Sequence, residues 1–410
     1  MQERQTMLAW MSVCMVLSYL PWYSFSAVVN DISREFALTA GDVGAIIAAF
    51  QAGYVIVVPL TGWLADRAGA KQVVLGATVL TAVFSTGAAL FTYDKSSILL
   101  LRLLTGCAAG AIYAPGMALL ANWFPPRERG NALGSYTAAL TVASAGGYFI
   151  AGPLSAAYGW RFGMLCTGLP AFLAAMIIWR WVKEKPLPAL AYDGARPAPG
   201  GGWGGPAVIT AAYMGHMWEL YAFWGWLGPF LVACAAAAGF SSSEAIRWGG
   251  LWAAWITLAG APAVWLLGRV ADRLGRIRTI LLCATASLLA EFGFGYLLGR
   301  PLWMVIGWGL WIGFWSIADS AIFKAGLTEM VAQEKRGMAL GLQSASGFLA
   351  TVFAPVAFGK VLESGGGAGL ASANWGPAFA VLGIGALITP VLTYALRRRP
   401  QSGLMANGGR

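Results

Sequence analysis

The chain has 410 residues, 58% hydrophobic and 11% charged, with a mean hydropathy of +0.66, which excludes a water-soluble globule and makes lipid the natural solvent. Its formal charge of +10 is spread over short breaks between apolar runs, such as Arg67 and Lys71, Arg180 to Lys185, Arg269 to Arg278 and Arg397 to Arg399. That spread excludes a nucleic-acid surface and marks cytoplasmic anchors of a membrane protein.

Apolar runs of about 20 residues predict twelve membrane helices, over 7–30, 43–62, 72–92, 97–121, 131–154 and 160–182 in the first half and 206–235, 247–267, 279–298, 302–325, 338–362 and 375–396 in the second. The first run is long enough to span and is read as a helix, not a signal peptide. An even number of spans puts both termini on one side. The excess of Lys and Arg there makes that side cytoplasmic, in a cell inner membrane. The predicted fold is therefore an all-α membrane protein with two six-helix bundles, 1–182 and 206–410. They are joined by a cytoplasmic linker, 183–205, rich in Pro, Gly and Ala. The five cysteines, Cys14, Cys107, Cys166, Cys234 and Cys283, have no paired spacing, so disulfides and zinc are not expected. No Gly-x-x-x-x-Gly-Lys-Ser/Thr run points to ATP, no nucleophile–base motif points to an enzyme, and no cofactor is expected.

In chain order, the first helix carries Tyr19, Tyr23, Ser26 and Asn30 at helical spacing, and the second carries Gln51 and Tyr54. Together with Trp248, Trp252 and Trp255 on the eighth they predict an amphipathic, ring-lined pocket for an organic molecule with a polar handle. Taken singly, each ring is better read as packing. Between the second and third helices lies Gly62-Trp63-Leu64-Ala65-Asp66-Arg67-Ala68-Gly69, and between the eighth and ninth Gly268-Arg269-Val270-Ala271-Asp272-Arg273-Leu274-Gly275. The same Gly-x-x-x-Asp-Arg-x-Gly pattern thus recurs. A second echo, Glu128-Arg129-Gly130-Asn131-Ala132-Leu133-Gly134 against Lys335-Arg336-Gly337-Met338-Ala339-Leu340-Gly341, recurs at nearly the same offset. Two features at one offset imply duplication into pseudo-symmetric halves. Gly62 and Gly69 are expected to allow a tight turn and close helix approach, and Asp66 and Arg67 to form a removable latch between bundles. The bland alternative is a charged cytoplasmic turn.

Ionisable side chains inside spans cost about 2.5–3.5 kcal/mol on insertion scales and are functional suspects. On the fourth helix Arg102 shares a face with Gly106 and Tyr113. On the seventh, His216 and Glu219 lie three residues apart on one face, suited either to relaying a proton or to a buried structural pair. On the tenth, Trp308, Trp311, Trp315 and Asp319 follow spacings that align them on one stripe, either a binding wall or packing. Lys324 is read as a snorkelling anchor, and Glu291 on the ninth helix has no assigned role.

The repeated Gly-x-x-x-Asp-Arg-x-Gly closely resembles the signature of the major facilitator superfamily, over the whole chain. The resemblance implies two bundles, each of inverted three-helix repeats, rocking about a central site by alternating access. It also implies that Asp66 faces the start of the eleventh helix near Gly337, where the helix dipole favours negative charge. Ala70 stands where a basic residue often follows the last glycine, so the first gate is expected to be looser than the second, which has Arg276 and Arg278. An arginine early in the fourth helix is, in that family, tied to proton movement or anion contact, against which a plain anchoring role is set. Gly152-Pro153 resembles part of the drug–proton antiporter pattern, but the glycines that follow it there are replaced by Leu154, Ser155 and Ala156. Asn122 to Gly130 looks like a loop common in organic-anion symporters.

The function expected is secondary active transport of a small organic solute, an organic acid or other amphipathic metabolite, by proton-coupled symport. Protons are carried or sensed at Glu219, His216, Asp319 and Arg102. Substrate is expected at Tyr19, Tyr23, Asn30, Gln51, Tyr54, Tyr113, Trp252, Trp255, Trp311 and Trp315. Gating falls to Gly62, Asp66, Arg67 and Gly69 with Gly268, Asp272, Arg273 and Gly275. The alternatives are a proton-coupled drug or metabolite efflux antiporter and a non-transporting ligand receptor. The expected partners are the lipid bilayer, the solute and protons, and the chain is expected to be a monomer.

Overall fold

A computed structural model of the protein describes residues 2–185, 202–332, 335–366, 370 and 374–408. Twelve helices among them are long and apolar enough to cross a membrane. They are α1 Gln2–Glu35, α2 Ala40–Ala68, α3 Ala70–Leu90, α4 Lys95–Ala121, α5 Asn131–Tyr158 and α6 Trp160–Trp181. The second six are α7 Gly204–Ala237, α8 Ser242–Leu274, α9 Arg276–Leu297, α10 Leu302–Met330, α11 Arg336–Glu363 and α12 Trp375–Leu396. Residues 186–201, most of the predicted linker, lie outside the described residues.

Local chemistry sets where the helices begin. Thr39 and Asp42 form a capping box at the start of α2, each side chain bonding the other's backbone N–H. Asp94 and Ser97 do the same for α4. The Ser97 backbone N–H holds the Asp94 carboxyl below the usual carboxylate range. Pro21 has no N–H to return to the preceding turn, and α1 breaks there into Gln2–Tyr19 and Pro21–Glu35. α4 breaks at Ala111–Ile112 and α10 at Asp319.

The repeated signature is not a loop. α2 runs on through Asp66 and Arg67 to Ala68, α3 starts at Ala70, and the whole turn is Gly69 at φ 85°. In the second copy α8 runs to Leu274, and Gly275 turns at φ 93°. A positive φ suits glycine, which lacks the Cβ that makes it costly. Gly69 thus makes the tight turn expected of it. Gly62 does not meet the companion expectation of close helix approach: a Cβ added at Gly62, or at Gly268, would meet nothing within 4 Å.

Close approach happens elsewhere. A Cβ on Gly106 of α4 would collide with the Phe50 carbonyl of α2, and one on Gly313 of α10 with the Ile256 carbonyl of α8. Phe50 to Ile256 is an offset of 206 and Gly106 to Gly313 one of 207. The duplication read from the signature therefore reaches the helix crossings, where small residues let two backbones touch without lipid between them.

The contacts divide the chain into two compact units. One holds α1–α6 with Gly225–Trp255, the last part of α7 and the first part of α8; the other holds α7 up to Trp224 and α8 from Ile256 onward with α9–α12. Within the first unit, Gly250 of α8 approaches Gly152 of α5, where a Cβ on either would come within 2.9 Å of the other's Cα. A Cβ on Gly228 of α7 would lie 2.7 Å from the Ser26 carbonyl of α1. Packing therefore divides α7 and α8 internally, while the covalent boundary expected at 183–205 is a separate property of the chain.

Candidate functional site

In the first unit the break in α1 creates an aromatic cluster. Trp22 lies 5.3 Å from Tyr19, 6.0 Å from Tyr23, 4.9 Å from Phe50 and 5.2 Å from Tyr54, ring centre to ring centre. Tyr23 stacks on Tyr148 of α5 at 6.1 Å and lies beside the Gln51 amide. The Tyr19 hydroxyl donates to the Ala109 carbonyl at 2.7 Å. Tyr19, Tyr23, Gln51 and Tyr54 are thus brought together, all buried. Trp22 at their centre was missed, although its spacing of three from Tyr19 places it on that face. Tyr113 stands apart on α4, stacked on Tyr136 at 5.9 Å and hydrogen-bonded to Thr137 at 2.8 Å. Asn30 is half-buried, and its Oδ1 lacks a hydrogen-bond partner among the described residues.

Arg102 serves this break. Its Nη1 and Nη2 donate to the Pro21 and Trp22 carbonyls, both at 2.9 Å, and its guanidinium lies 4.6 Å from the Phe50 ring centre and 5.3 Å from that of Phe25. Only 3% of the residue is exposed. A rigid fork of donors suits two adjacent carbonyls as it suits a carboxylate. Here the fork is committed to the backbone, leaving Nε without a partner.

The second unit holds the ionisable group. His216 Nδ1 lies 2.9 Å from Asp319 Oδ1, and its Nε2 lies 2.6 Å from the Ser320 hydroxyl. His216 and Asp319 are 1% and 2% exposed. Tyr213 stacks on the imidazole at 5.6 Å, and Phe323 stands 5.6 Å from both rings. Both ring nitrogens therefore face oxygen. The Asp319 contact is an ion-pair distance and not an aligned hydrogen bond, since Oδ1 has no hydrogen-bond partner among the described residues, while Nε2 donates to or accepts from Ser320 according to the tautomer. Glu219, one turn along α7 and 2% exposed, turns to the Ser287 hydroxyl of α9 and is close enough to Asp319 to interact with it.

The expected stripe on α10 separates. Trp308 and Trp311 donate their indole N–H groups to the Ala290 and Ala286 carbonyls of α9, at 2.8 and 2.9 Å, and Trp311 is about half exposed. Trp315 leans on Trp311 at 5.7 Å. Asp319 sits at the helix break and faces α7 instead. Interrupting the helix ends the 3.6-residue register on which the stripe rested. On α8, Trp252 packs with Trp248 and Phe240 against Val232 and Ile246, and Trp255 is 59% exposed. Neither joins a buried aromatic group.

At the signature turns the two copies differ. In the second, Arg276 pairs with Asp272 at 2.6 Å and with Glu329 of α10 at 2.9 Å. In the first, Ala70 occupies the place of Arg276, and the Glu184 carboxylate accepts the backbone N–H of Ala70 at 2.8 Å and of Lys71 at 3.2 Å. The Lys71 ammonium donates to the Trp179 carbonyl at 3.2 Å. A carboxylate on the open N–H groups of a helix start is favourable on both hydrogen-bond and dipole grounds. Glu184 thus fastens the turn that the lone Lys71 led us to expect loose. Arg67 stacks on Trp63 at 4.2 Å, and Asp66 and Arg273 are exposed. An aspartate in the last turn of a helix opposes the dipole, yet both copies keep it.

Over 171 residues the chain is 30% identical to a hexuronate transporter of Bacillus subtilis, and over 176 residues 29% identical to a 4-hydroxybenzoate transporter of Pseudomonas putida. These matches cover 42% of this chain in each case, and 40% and 39% of the relatives, so the chain spans about two-fifths of their length. A longer match, 25% identity over 370 residues, is to a 3-(3-hydroxy-phenyl)propionate transporter of Escherichia coli and covers 88% of this chain and 87% of that one. Among solved structures, a D-xylose–proton symporter superposes with a TM-score of 0.79 at 16% identity, covering 97% of this chain and 98% of that one. A bacterial homolog of the human lysosomal transporter Spinster superposes with a TM-score of 0.78 at 16% identity, covering 97% of both chains. The family model of the major facilitator superfamily matches residues 11–243 and 220–409, and the chain belongs to that family.

Proposed function

We propose that the protein is a secondary active transporter that moves a small organic acid, or another amphipathic metabolite with a ring-bearing or polar body, by alternating access and proton symport. The observation that carries the reading is the buried contact of His216 with Asp319, with Glu219 one turn away. Three ionisable groups in one membrane-embedded bundle are costly unless they work. A histidine between an aspartate and a hydroxyl exchanges a proton with little rearrangement. The aromatic cluster around Trp22 supports a passenger with a flat or apolar face. The solutes for which these relatives are named, hexuronate, 4-hydroxybenzoate and 3-(3-hydroxy-phenyl)propionate, are organic acids.

The remaining assignments belong to the same proposal. The bundles are 1–182 and 206–410, the termini are cytoplasmic in an inner membrane, the chain works as a monomer without enzymatic chemistry, and Asp66 and Asp272 bias which side is open. Proteoliposomes loaded with 4-hydroxybenzoate or glucuronate test it: counterflow detects carriage, and accumulation against an imposed pH gradient detects symport. Solute-driven proton release in the opposite sense would instead identify an efflux antiporter. Binding without counterflow would identify a receptor.

A further inference from the structure

Glu291 of α9 is completely buried, and neither carboxyl oxygen has a hydrogen-bond partner among the described residues. Leaving a buried polar atom unpaired costs about 1–3 kcal/mol, and more when it carries charge. A leucine or methionine of similar volume would avoid that cost, so packing alone does not account for an acid here.

Its surroundings are specific. Cys283, Ser287 and Glu291 follow one another at single-turn spacing on α9, at 0%, 1% and 0% exposure. The middle member, Ser287, meets the Glu219 carboxyl through its hydroxyl, while the second Glu219 oxygen is without a partner. The Ser287 bonds to its own helix, to the Cys283 and Ala284 carbonyls, are long at 3.2 and 3.3 Å. No basic side chain hydrogen-bonds to Glu291 among the described residues. Residues 375–396 of α12 contain no acidic or basic side chain. On α10, Trp308 donates to the Ala290 carbonyl, and Lys324 and Glu329 lie beyond the break at Asp319; α8 carries Glu244 and Arg247 near its start and Arg269, Asp272 and Arg273 near its end. The ionisable group that Glu291 feels is Glu219. Glu219 in turn interacts with Asp319, the partner of His216, and Cys283 of α9 lies near both carboxylates.

We infer that Glu291 is a second proton-binding site of this bundle, and that its side chain, one turn from Ser287, turns to that hydroxyl to exchange its proton with Glu219. In the exchange Ser287 accepts the Glu291 proton and gives its own to Glu219. Glu291 is left ionised, Glu219 neutral, and the charge of the pair unchanged. The pair changes charge only when a proton passes to or from the Asp319–His216 end. Glu291 thereby becomes a store behind the coupling group, on a helix to which the sequence assigned no role. The inference rests on the reading of Glu219 as a proton carrier, and its test needs no solute.

Infrared difference spectra of the full-length protein in liposomes, recorded across a pH titration, report the carbonyl stretch of each neutral carboxylic acid. The wild type is expected to show a pH-sensitive carboxyl band that Glu291→Gln removes and Glu219→Gln displaces, because the two acids share a field. Ser287→Ala should keep the band but slow its hydrogen–deuterium exchange about tenfold or more, an on-path proton step being worth at least that much. A band indifferent to pH, or one unchanged by both Glu219→Gln and Ser287→Ala, overturns the proposal. Should Glu291→Gln fail to fold, those two variants decide alone. A protein whose band titrates as expected, while uptake ignores the pH gradient, refutes symport and leaves the proton site standing.

Discussion

His216 and Asp319 meet at 2.9 Å because α10 breaks at Asp319, turning that carboxylate out of its own helix and toward α7. The pair joins two helices that lie far apart in sequence but within one compact unit.

Removing one partner of a buried charged pair leaves the other uncompensated, at a cost of about 3–5 kcal/mol. Asp319→Asn and His216→Gln should therefore abolish accumulation driven by a pH gradient while sparing counterflow, which needs no net proton movement. Ser320→Ala, which removes the hydroxyl on the far ring nitrogen, should have a smaller effect in the same direction. Gradient-driven uptake at wild-type level in Asp319→Asn would end the coupling argument.

The α2–α4 and α8–α10 crossings predict which glycines matter for stability. Gly106→Ala and Gly313→Ala press a methyl group into a backbone carbonyl, and overpacking of this kind costs about 1–3 kcal/mol. Both should lower the melting temperature measured in detergent by several degrees. Gly62→Ala and Gly268→Ala, facing open space in mid-helix, should be neutral or slightly stabilising, as Ala is the better helix former. Equal damage from both classes would contradict the crossings described above.

Arg102 predicts a difference between two basic residues. Lysine cannot span the Pro21 and Trp22 carbonyls at once, so Arg102→Lys should lose one charge-assisted bond, worth about 1.5–3 kcal/mol. The expected readouts are a lower melting temperature and faster backbone amide exchange around Trp22. If Arg102 serves the proton path and not the helix break, Lys will instead preserve stability and alter the pH profile of uptake.

Glu184 predicts an asymmetry between the copies. Glu184→Ala should speed amide exchange at Ala70 and Lys71 and cost about 0.5–2 kcal/mol, the usual range for a lost helix-start cap. Arg276→Ala should leave the amides of its own turn protected while releasing Asp272 and Glu329. Unchanged exchange at Ala70 would show that the cap does not persist in solution.

Much of this was legible in the sequence, for definable reasons. Lipid forces every backbone group to be satisfied within a helix, so the twelve spans follow from apolar length alone. The repeated Gly-x-x-x-Asp-Arg-x-Gly revealed the duplication, because a turn of one residue between two helices needs a glycine at its end. Ends were less legible: the polar residues after Gly62 and Gly268 were taken as loop, yet helices extend past the apolar layer as long as their hydrogen bonds continue. The chemistry was half legible. His216, Glu219 and Asp319 stood out as ionisable groups in apolar runs, but spacing paired His216 with Glu219, its neighbour on α7. The structure pairs it with Asp319, since a helix break redirects a side chain in a way periodicity does not register. Ser287, Ser320 and Glu184 were invisible for a simpler reason, as each acts through a partner on another helix.

The two signature turns are tied down by unlike means. Glu329 belongs to α10, so the second turn is fastened by a neighbouring helix of its own unit. Glu184 lies just beyond α6, in the first residues of the stretch joining one half of the protein to the other. Where Glu184 sits is therefore felt directly by the Ala70 and Lys71 amides at the start of α3, whereas Arg276 at the start of α9 answers to Glu329. Losing either carboxylate would loosen one turn and leave its twin fastened.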